Sequence, residues 1–207
     1  MIAIIDYDAG NVRSVEKAFL KLGKKVQITR DPQVILSADH VVLPGVGNFG
    51  DAASNLRRYG MEDVIREVVE KQIPFLGICV GMQLLYEGSE ESPGVPGLGL
   101  IRGTCRRFPE EPGFKVPQIG WNTIHMMNGG ELLKEIPGGS YVYFVHSYYC
   151  LAENKSCVKA VTQYNTLFDA SVQKGHIYAT QFHQEKSGDV GLQILRNFVS
   201  VQRNRLC

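Results

Sequence analysis

Cys79 stands between Gly77 and Gly81 in PFLGICVGMQLLYEGSEE, after an apolar run (Ile73, Phe75, Leu76, Ile78) and before good helix formers (Met82, Gln83, Leu84, Leu85). A thiol at such a strand-to-helix junction is placed for nucleophilic chemistry. It needs a tight turn that lifts its side chain out of the sheet, and small residues two positions away on each side so that strand and helix approach closely. Gly77 and Gly81 supply those, which makes G-x-C-x-G the thiol counterpart of the serine nucleophile elbow. A helix opening beyond Cys79 adds a dipole that favours thiolate over thiol. The plain alternative is a buried cysteine serving as a small hydrophobe, the commonest fate of a free thiol.

An ordinary thiol is largely protonated at neutral pH, so a base belongs nearby. His183, in TQFHQEKSG, is the best placed of the five histidines. Glu185 follows two residues on, and in an extended segment both side chains project to one face, so the carboxylate can fix the imidazole tautomer and stabilise its cation. An incidental pair at a solvated strand end is the bland reading of the same residues. His146, in YFVHSYY, competes because it too lies at a strand end. His40 reads as a structural strand histidine, and His125 and His176 fall in polar, turn-like stretches.

Acyl chemistry at a thiol also wants donors for a developing oxyanion. PGVGNFG offers one, because glycines on both sides of Val46 let the peptides between them adopt unusual dihedrals and aim an N–H at a reacting carbonyl. The N–H of Val80 is the second donor. A phosphate cradle is the alternative reading of this loop, but it lacks the Lys-Ser/Thr of a P-loop and sits wrongly in the chain for a dinucleotide fingerprint.

The elements that must position these groups are readable in outline. Ile2 to Ile5 reads as a buried strand. Val12, Val15, Phe19 and Leu22 recur at helical spacing up to Gly23, and strands follow at Lys25 to Thr29 and His40 to Leu43. Met61 to Lys71 reads as an amphipathic helix returning the chain to the strand before Cys79. This alternation implies parallel strands with crossover helices. From about Gly94 the texture changes to short strands and turns: 141–150, 157–164 and 177–183 are strand-like, and a last helix opens at Ser187 with Val190, Ile194, Phe198 and Val201 on one face. The expected fold is α/β, an open, largely parallel twisted sheet flanked by helices and carrying a nucleophile elbow, with additional short antiparallel strands in the C-terminal half.

Composition narrows the classes. The 207 residues can bury a real core, and a single domain over 1–207 is the working expectation. Lys plus Arg (22) nearly balance Asp plus Glu (21), so the net charge gives no footprint for nucleic acid or an acidic membrane, although Arg102, Arg106 and Arg107 make a local basic cluster. Five irregularly spaced cysteines without a CxxC or CxxH pair argue against a disulfide framework and a zinc site, and fit a reduced, cytoplasmic compartment. MIAIIDYDAGN lacks a basic leader and reaches Asp6 too soon for a signal peptide, and no apolar run is long enough to span a bilayer.

GICVGMQ, PGVG and FHQEKS together resemble the class I (triad) glutamine amidotransferases. IIDYDAGNVRSV, LPGVGNFGDA, YEGSEE, GLGLIRG, VPQIGWN, YFVHSYY and ATQFHQEKSG, spread over nearly the whole chain, resemble the glutaminase subunits of imidazole glycerol phosphate synthase. The resemblance implies hydrolysis of L-glutamine to glutamate and ammonia, with no metal or organic cofactor. It also implies a (β/α)8-barrel cyclase partner that consumes the ammonia to make imidazole glycerol phosphate and an aminoimidazole carboxamide ribotide in histidine biosynthesis.

Carried over by residue, the resemblance makes Cys79 the nucleophile, His183 the base and Glu185 its orienter. Gly47 and Val80 match the oxyanion donors; Gly45, Gln83, Ser147 and Tyr148 match positions that hold glutamine; Trp121, Asn122, Tyr143 and Lys186 match partner-facing positions. Trp121, in a polar turn, is poorly placed for a core, which is its alternative. The family is activated by its partner, so a peptide at Gly45-Val46-Gly47 with two orientations, only one completing the oxyanion hole, is the expected switch. On that view a β-branched residue at Gly45 alters activation far more than glutamine binding.

Two positions depart from the family pattern. Gln184 stands where proline is usual, removing a backbone restraint and loosening the catalytic pair, and Gln118 replaces a frequent histidine. The rival readings are a triad amidotransferase of another pathway, which GWN and YEGSEE disfavour; a cysteine peptidase or deglycase-like enzyme on the same elbow; and a binding module that has lost activity.

Overall fold

Apolar runs too short for helices and buried on both faces define the centre of the molecule. The computed structural model describes residues 1–203. In order, β1 (Ile2–Ile5), α1 (Val12–Lys21), β2 (Val26–Thr29), α2 (Pro32–Ser37), β3 (His40–Gly45), α3 (Phe49–Arg58), α4 (Met61–Glu70) and β4 (Phe75–Cys79) alternate as the sequence suggests. The chain continues with α5 (Val80–Gln83), β5 (Gly88–Ser89), β6 (Gly103–Arg107), β7 (Gln118–Met126), β8 (Ser140–His146) and β9 (Tyr148–Ala152). It ends with β10 (Val158–Gln163), β11 (Leu167–Lys174), β12 (Ile177–Thr180) and α6 (Gly188–Ser200).

Nine strands form one sheet in the order β2-β1-β3-β4-β12-β11-β10-β7-β8, and β5, β6 and β9 form a small second sheet. The first four pairings of the large sheet, from β2 to β12, are parallel. The last four, from β12 to β8, are antiparallel. The α/β fold with an elbow is therefore as expected, and the antiparallel strands extend the main sheet and equal the parallel part in pairings. A backbone bond from the His183 N–H to the Tyr143 carbonyl (3.0 Å) joins the segment after β12 to β8, closing the antiparallel strands into a ring.

The helices have local causes. Asn11 caps α1 by accepting from the Ser14 N–H, and its inward face is Val15, Ala18 and Phe19. α4 buries Met61, Val64, Ile65 and Val68 and carries Glu62 and Asp63 in its first turn, where the helix dipole favours acids. α6 buries Ile194, Leu195 and Phe198 beyond Ser187. The buried residues of both halves join into one core.

Several elements were not evident in the sequence. α3 follows the glycine-rich loop directly, and its start is hidden until Asn48 is seen to accept from the Gly50 and Asp51 N–H groups. β11 buries Asp169 and Ser171, whose polarity breaks an apolar count. Asp169 is satisfied by the Ala152 N–H and the Lys155 ammonium, and the Ser171 hydroxyl by the Ala179 carbonyl. The stretch 141–150 is two strands in two sheets, parted at Ser147. VPQIGWN is not a turn: Trp121 and His125 lie on β7, which alternates outward and inward residues. Cys79, Cys105, Cys150 and Cys157 are free thiols, and the fifth cysteine, Cys207, lies outside the described residues.

Candidate active site

Cys79 is the last residue of β4 and the hinge into α5, with φ of 55° and ψ of −112°. A non-glycine residue held there is strained, and the surrounding backbone over-determines it. A Cβ on Gly81 would lie 1.9 Å from the Leu43 carbonyl oxygen, and one on Gly77 would lie 2.8 Å from the Gly81 oxygen. Only glycine lets β3, β4 and α5 meet this closely, so the elbow inferred from G-x-C-x-G is present. α5 has only four residues, so it contributes less dipole than the sequence suggested.

The structure brings Cys79, His183 and Glu185 together at the ends of two neighbouring parallel strands, β4 and β12. The His183 Nδ1–H donates to Glu185 Oε1 at 2.7 Å, both side chains being 2% exposed. That bond fixes the tautomer and leaves Nε2 buried and without a hydrogen-bond partner among the described residues, in the same cavity lining as Cys79. Burial works against a charged ring here, but the Cys79 sulfur and the Glu185 carboxylate outweigh it and push the His183 pKa up to about 10. The pair is built to accept the thiol proton.

The competing histidines have structural partners. His146 Nδ1 bonds the Tyr148 carbonyl at 2.8 Å, and Nε2 meets the Gln118 side chain at 3.0 Å. Burial, partly offset by the Tyr148 carbonyl and reinforced by His183, pushes His146 down to about 4. It is therefore neutral, with its Nδ1–H on Tyr148, so Gln118 must turn its NH2 towards Nε2. His40 contacts the Val201 carbonyl at 2.9 Å and packs edge-on against Phe198.

Around the thiol lies a cavity of about 370 Å³ lined by, among others, Gly47, Val80, Gln83, Glu91, Ser147 and Tyr148. Gly47 has φ of +91° with open space where a Cβ would be. Val80 opens α5, and amides in a first helical turn have no partner within the helix. Gln83 is buried, its Nε2 donating to the Tyr148 carbonyl (3.1 Å) and to Gln181 Oε1 (3.2 Å). Ser147 and Tyr148 occupy the point where the chain leaves the large sheet for the small one.

Gly45 does not line the cavity. It pairs with Cys79 at the end of the β3–β4 ladder, and a Cβ there would lie 2.6 Å from the Gly81 nitrogen and 2.7 Å from the Tyr7 hydroxyl. A side chain at Gly45 would therefore meet the elbow itself, while Gly47 has open space but a φ that strains any L side chain. Gln184 has a tether of its own. It is fully buried, and its Nε2 donates to Thr180 Oγ1 at 2.7 Å, a side-chain tether in place of a proline ring.

Sequence reasoning missed two residues. Glu91 is the sole carboxylate among the described residues lining the cavity, and its Oε2 accepts from the Phe49 N–H (2.8 Å) that opens α3. YEGSEE contains it, but nothing in that string marks one acid over its neighbours. Gln181 donates through Nε2 to Cys79 Sγ at 3.7 Å. The His183–Glu185 pair forms across a 3-10 turn, Gln184–Lys186, and not the extended segment expected, so no spacing rule in the sequence marks Gln181.

Beside the cavity mouth, β7 and β8 present an open apolar face. Ile119 (63% exposed), Trp121 (55%) and Tyr141 (61%) stand out from it. Trp121 meets Tyr143 edge-on across the strands, and Lys186 places its ammonium 5.7 Å from the Tyr143 ring centre. Asn122, one residue from Trp121, projects to the other face and ties its amide to the Gln163 carbonyl.

A family model described as glutamine amidotransferase class-I matches residues 3–201. Imidazole glycerol phosphate synthase subunit HisH 1 of Methanococcus maripaludis is 47% identical over 204 residues, which is 97% of this chain and 100% of that protein. Subunit HisH of Moorella thermoacetica is 47% identical over 203 residues, covering 98% of this chain and 96% of its own length. Among solved structures, one described as a glutamine amidotransferase superposes with a TM-score of 0.73 at 19% identity, over 97% of this chain and 98% of the other, a likeness of fold alone.

Proposed function

The chain belongs to the class I glutamine amidotransferases and, among them, to the HisH subunits of imidazole glycerol phosphate synthase, and on that premise we propose a catalytic route through Cys79, His183 and Glu185. The observation that carries it is the strained Cys79 hinge facing a histidine whose other nitrogen is held by Glu185 at 2.7 Å. Cys79 Sγ attacks the carboxamide carbon of L-glutamine as its proton passes to His183 Nε2. The N–H groups of Val80 and Gly47 receive the developing oxyanion. His183 then gives its proton to the departing ammonia, leaving a glutamyl thioester, and water activated by the same histidine releases glutamate and regenerates the thiol.

Glu91 receives the α-ammonium group of glutamine, with Gln83, Ser147 and Tyr148 along the rest of the substrate. Gly45 serves from beneath, by keeping the oxyanion strand close to the elbow. No metal or organic cofactor is needed, because the covalent intermediate divides the reaction by itself. The whole chain, 1–207, acts as one amidotransferase domain in the cytoplasm. Among the described residues no helix is long and apolar enough to cross a membrane.

The ammonia passes to a (β/α)8-barrel cyclase subunit that makes imidazole glycerol phosphate and an aminoimidazole carboxamide ribotide; neither nucleic acid nor membrane takes part. The partner docks on the face of Ile119, Trp121, Tyr141 and Tyr143, with Lys186 at its edge. This support is physical: large apolar side chains rimmed by polar groups are what an interface core needs, and Val145 of the same strand continues into the cavity lining. Asn122 contributes by fixing β7 against β10. Docking selects the oxyanion-competent orientation at Val46 and Gly47.

Glutamate release from L-glutamine is the test, measured for the chain alone and with a cyclase subunit plus its nucleotide ligand, with Cys79→Ala as the blank. Low activity alone, a large rise in the complex and none in the variant are expected. Equal activity with and without the cyclase overturns the gating, and activity retained by Cys79→Ala overturns the route.

A further inference from the structure

Gln181 is fully buried beneath the cavity, between β12 and His183, with its backbone N–H on the Ala170 carbonyl. A buried amide must bond at both ends or cost stability. Its two ends face different groups: Oε1 lies 3.2 Å from Gln83 Nε2, and Nε2 lies 3.7 Å from Cys79 Sγ. Which end faces the sulfur is decided outside Gln181. The Tyr148 carbonyl can only accept, so the Gln83 end 3.1 Å from it is the NH2. That same NH2 meets Gln181, so Gln181 turns its oxygen to Gln83 and its own NH2 to the sulfur.

The sulfur also has an acceptor, the Val145 carbonyl at 3.9 Å, which suits a thiol proton. A donor and an acceptor together distinguish the two protonation states of one atom. An N–H donor bonds a thiolate more strongly than a thiol, because hydrogen bonds to charged groups are the stronger ones.

We propose that Gln181 is a catalytic residue of the hydrolysis, its side-chain amide donating to Cys79 Sγ and stabilising the thiolate while the proton resides on His183 Nε2. The S–H bond breaks and an N–H bond forms, with no other reactant. This rests on the reading of Cys79 as the nucleophile. Gln83 has a second role here, holding the Gln181 amide in the donating orientation.

The test follows alkylation of Cys79 by iodoacetamide from pH 6 to 9.5, resolved peptide by peptide by mass spectrometry so that Cys157 serves as an internal reference. Gln181→Met keeps the volume and removes the donor. It should slow Cys79 alkylation about tenfold at pH 7, recovering by pH 9.5, and lower kcat with little change in KM. Gln181→Glu, isosteric and bearing an oxygen towards sulfur, should slow it more. Gln83→Leu, which frees Gln181 to turn, should slow it by about threefold and keeps the question open to test should the Gln181 variants not fold.

Alkylation profiles of the variants that superimpose on the wild type overturn the role of Gln181; a pure space-filler predicts that result for Gln181→Met. A wild-type Cys79 that reacts no faster than Cys157 at pH 7 overturns instead the nucleophile reading. The two failures are therefore distinct.

Discussion

β3 and β4 are buried along their whole length, whereas β7 alternates between open and buried residues. The first arrangement has helices packed on both faces, so its side chains are committed to the core and only strand ends are free for chemistry. The second has an open face, so its side chains remain available for a partner and for hydrogen bonding. The nucleophile and the oxyanion strand come from the first region, as do the base and the amide beneath the sulfur, which follow β12, the buried parallel neighbour of β4; the docking face comes from the second. In the parallel region function depends on backbone shape at the strand ends; in the antiparallel region it depends on the side chains along the strands.

The largest test of that division is Cys79→Ala, which should lower glutamate release by about 10⁴-fold or more while leaving the melting temperature close to wild type. Glu185→Gln, just beyond β12, removes only the carboxylate that selects the tautomer, and should lower kcat by about a thousandfold with KM little changed. A KM that rises in proportion would place Glu185 in binding.

Gly81→Ala challenges backbone shape directly. With its Cβ against the Leu43 carbonyl it should cost about 3 kcal/mol of stability, seen as a lower urea midpoint. An unchanged midpoint would show that the elbow yields.

Charge is the weak point of the antiparallel half. His146 is held down to about 4 by burial, against an unfolded value near 6.5. The unfolded chain therefore binds the proton first as pH falls. Stability contributed by neutral His146 is complete above about 6.5 and is lost towards pH 4, by up to about 3 kcal/mol. In urea titrations at pH 7 and pH 4.5, His146→Gln should be less pH-sensitive than wild type; parallel losses would locate the acid sensitivity elsewhere.

The smallest effect belongs to the open face. Trp121→Ala should weaken cyclase binding by about tenfold and leave the stability of the free chain within experimental scatter. A falling melting temperature would return Trp121 to the core.

The same contrast governs what could be read from the sequence. Parallel strands and their helices announce themselves by continuous apolar runs and helical spacing, so β1, β3, α4 and the elbow were legible, together with the His183–Glu185 pair. Antiparallel strands paired at long range do not: β11 carries buried Asp169 and Ser171, and β7 looked like a turn because its glycine and the polar Gln118 and Asn122 lie on the inward face, whereas the large apolar Ile119 and Trp121 face outward. Gly45 was legible as a loop glycine but not as a spacer, because the Tyr7 hydroxyl that fills its surroundings comes from the bend after β1, far away in sequence. Gln184 looked permissive because Thr180, its tether, shows its hydroxyl only in three dimensions.

The bond between His183 and Tyr143 that closes the ring of strands also sets the order in which the enzyme acquires its chemistry. Gln181 lies 102 residues beyond Cys79, with His183 just after it. During synthesis from the N-terminus the thiol emerges with its own strand and helix long before the partner histidine exists, and domains take shape in that direction. A half-made chain thus carries a sulfur without the base that arms it. On the proposed route, only a chain made through Glu185 can hydrolyse glutamine.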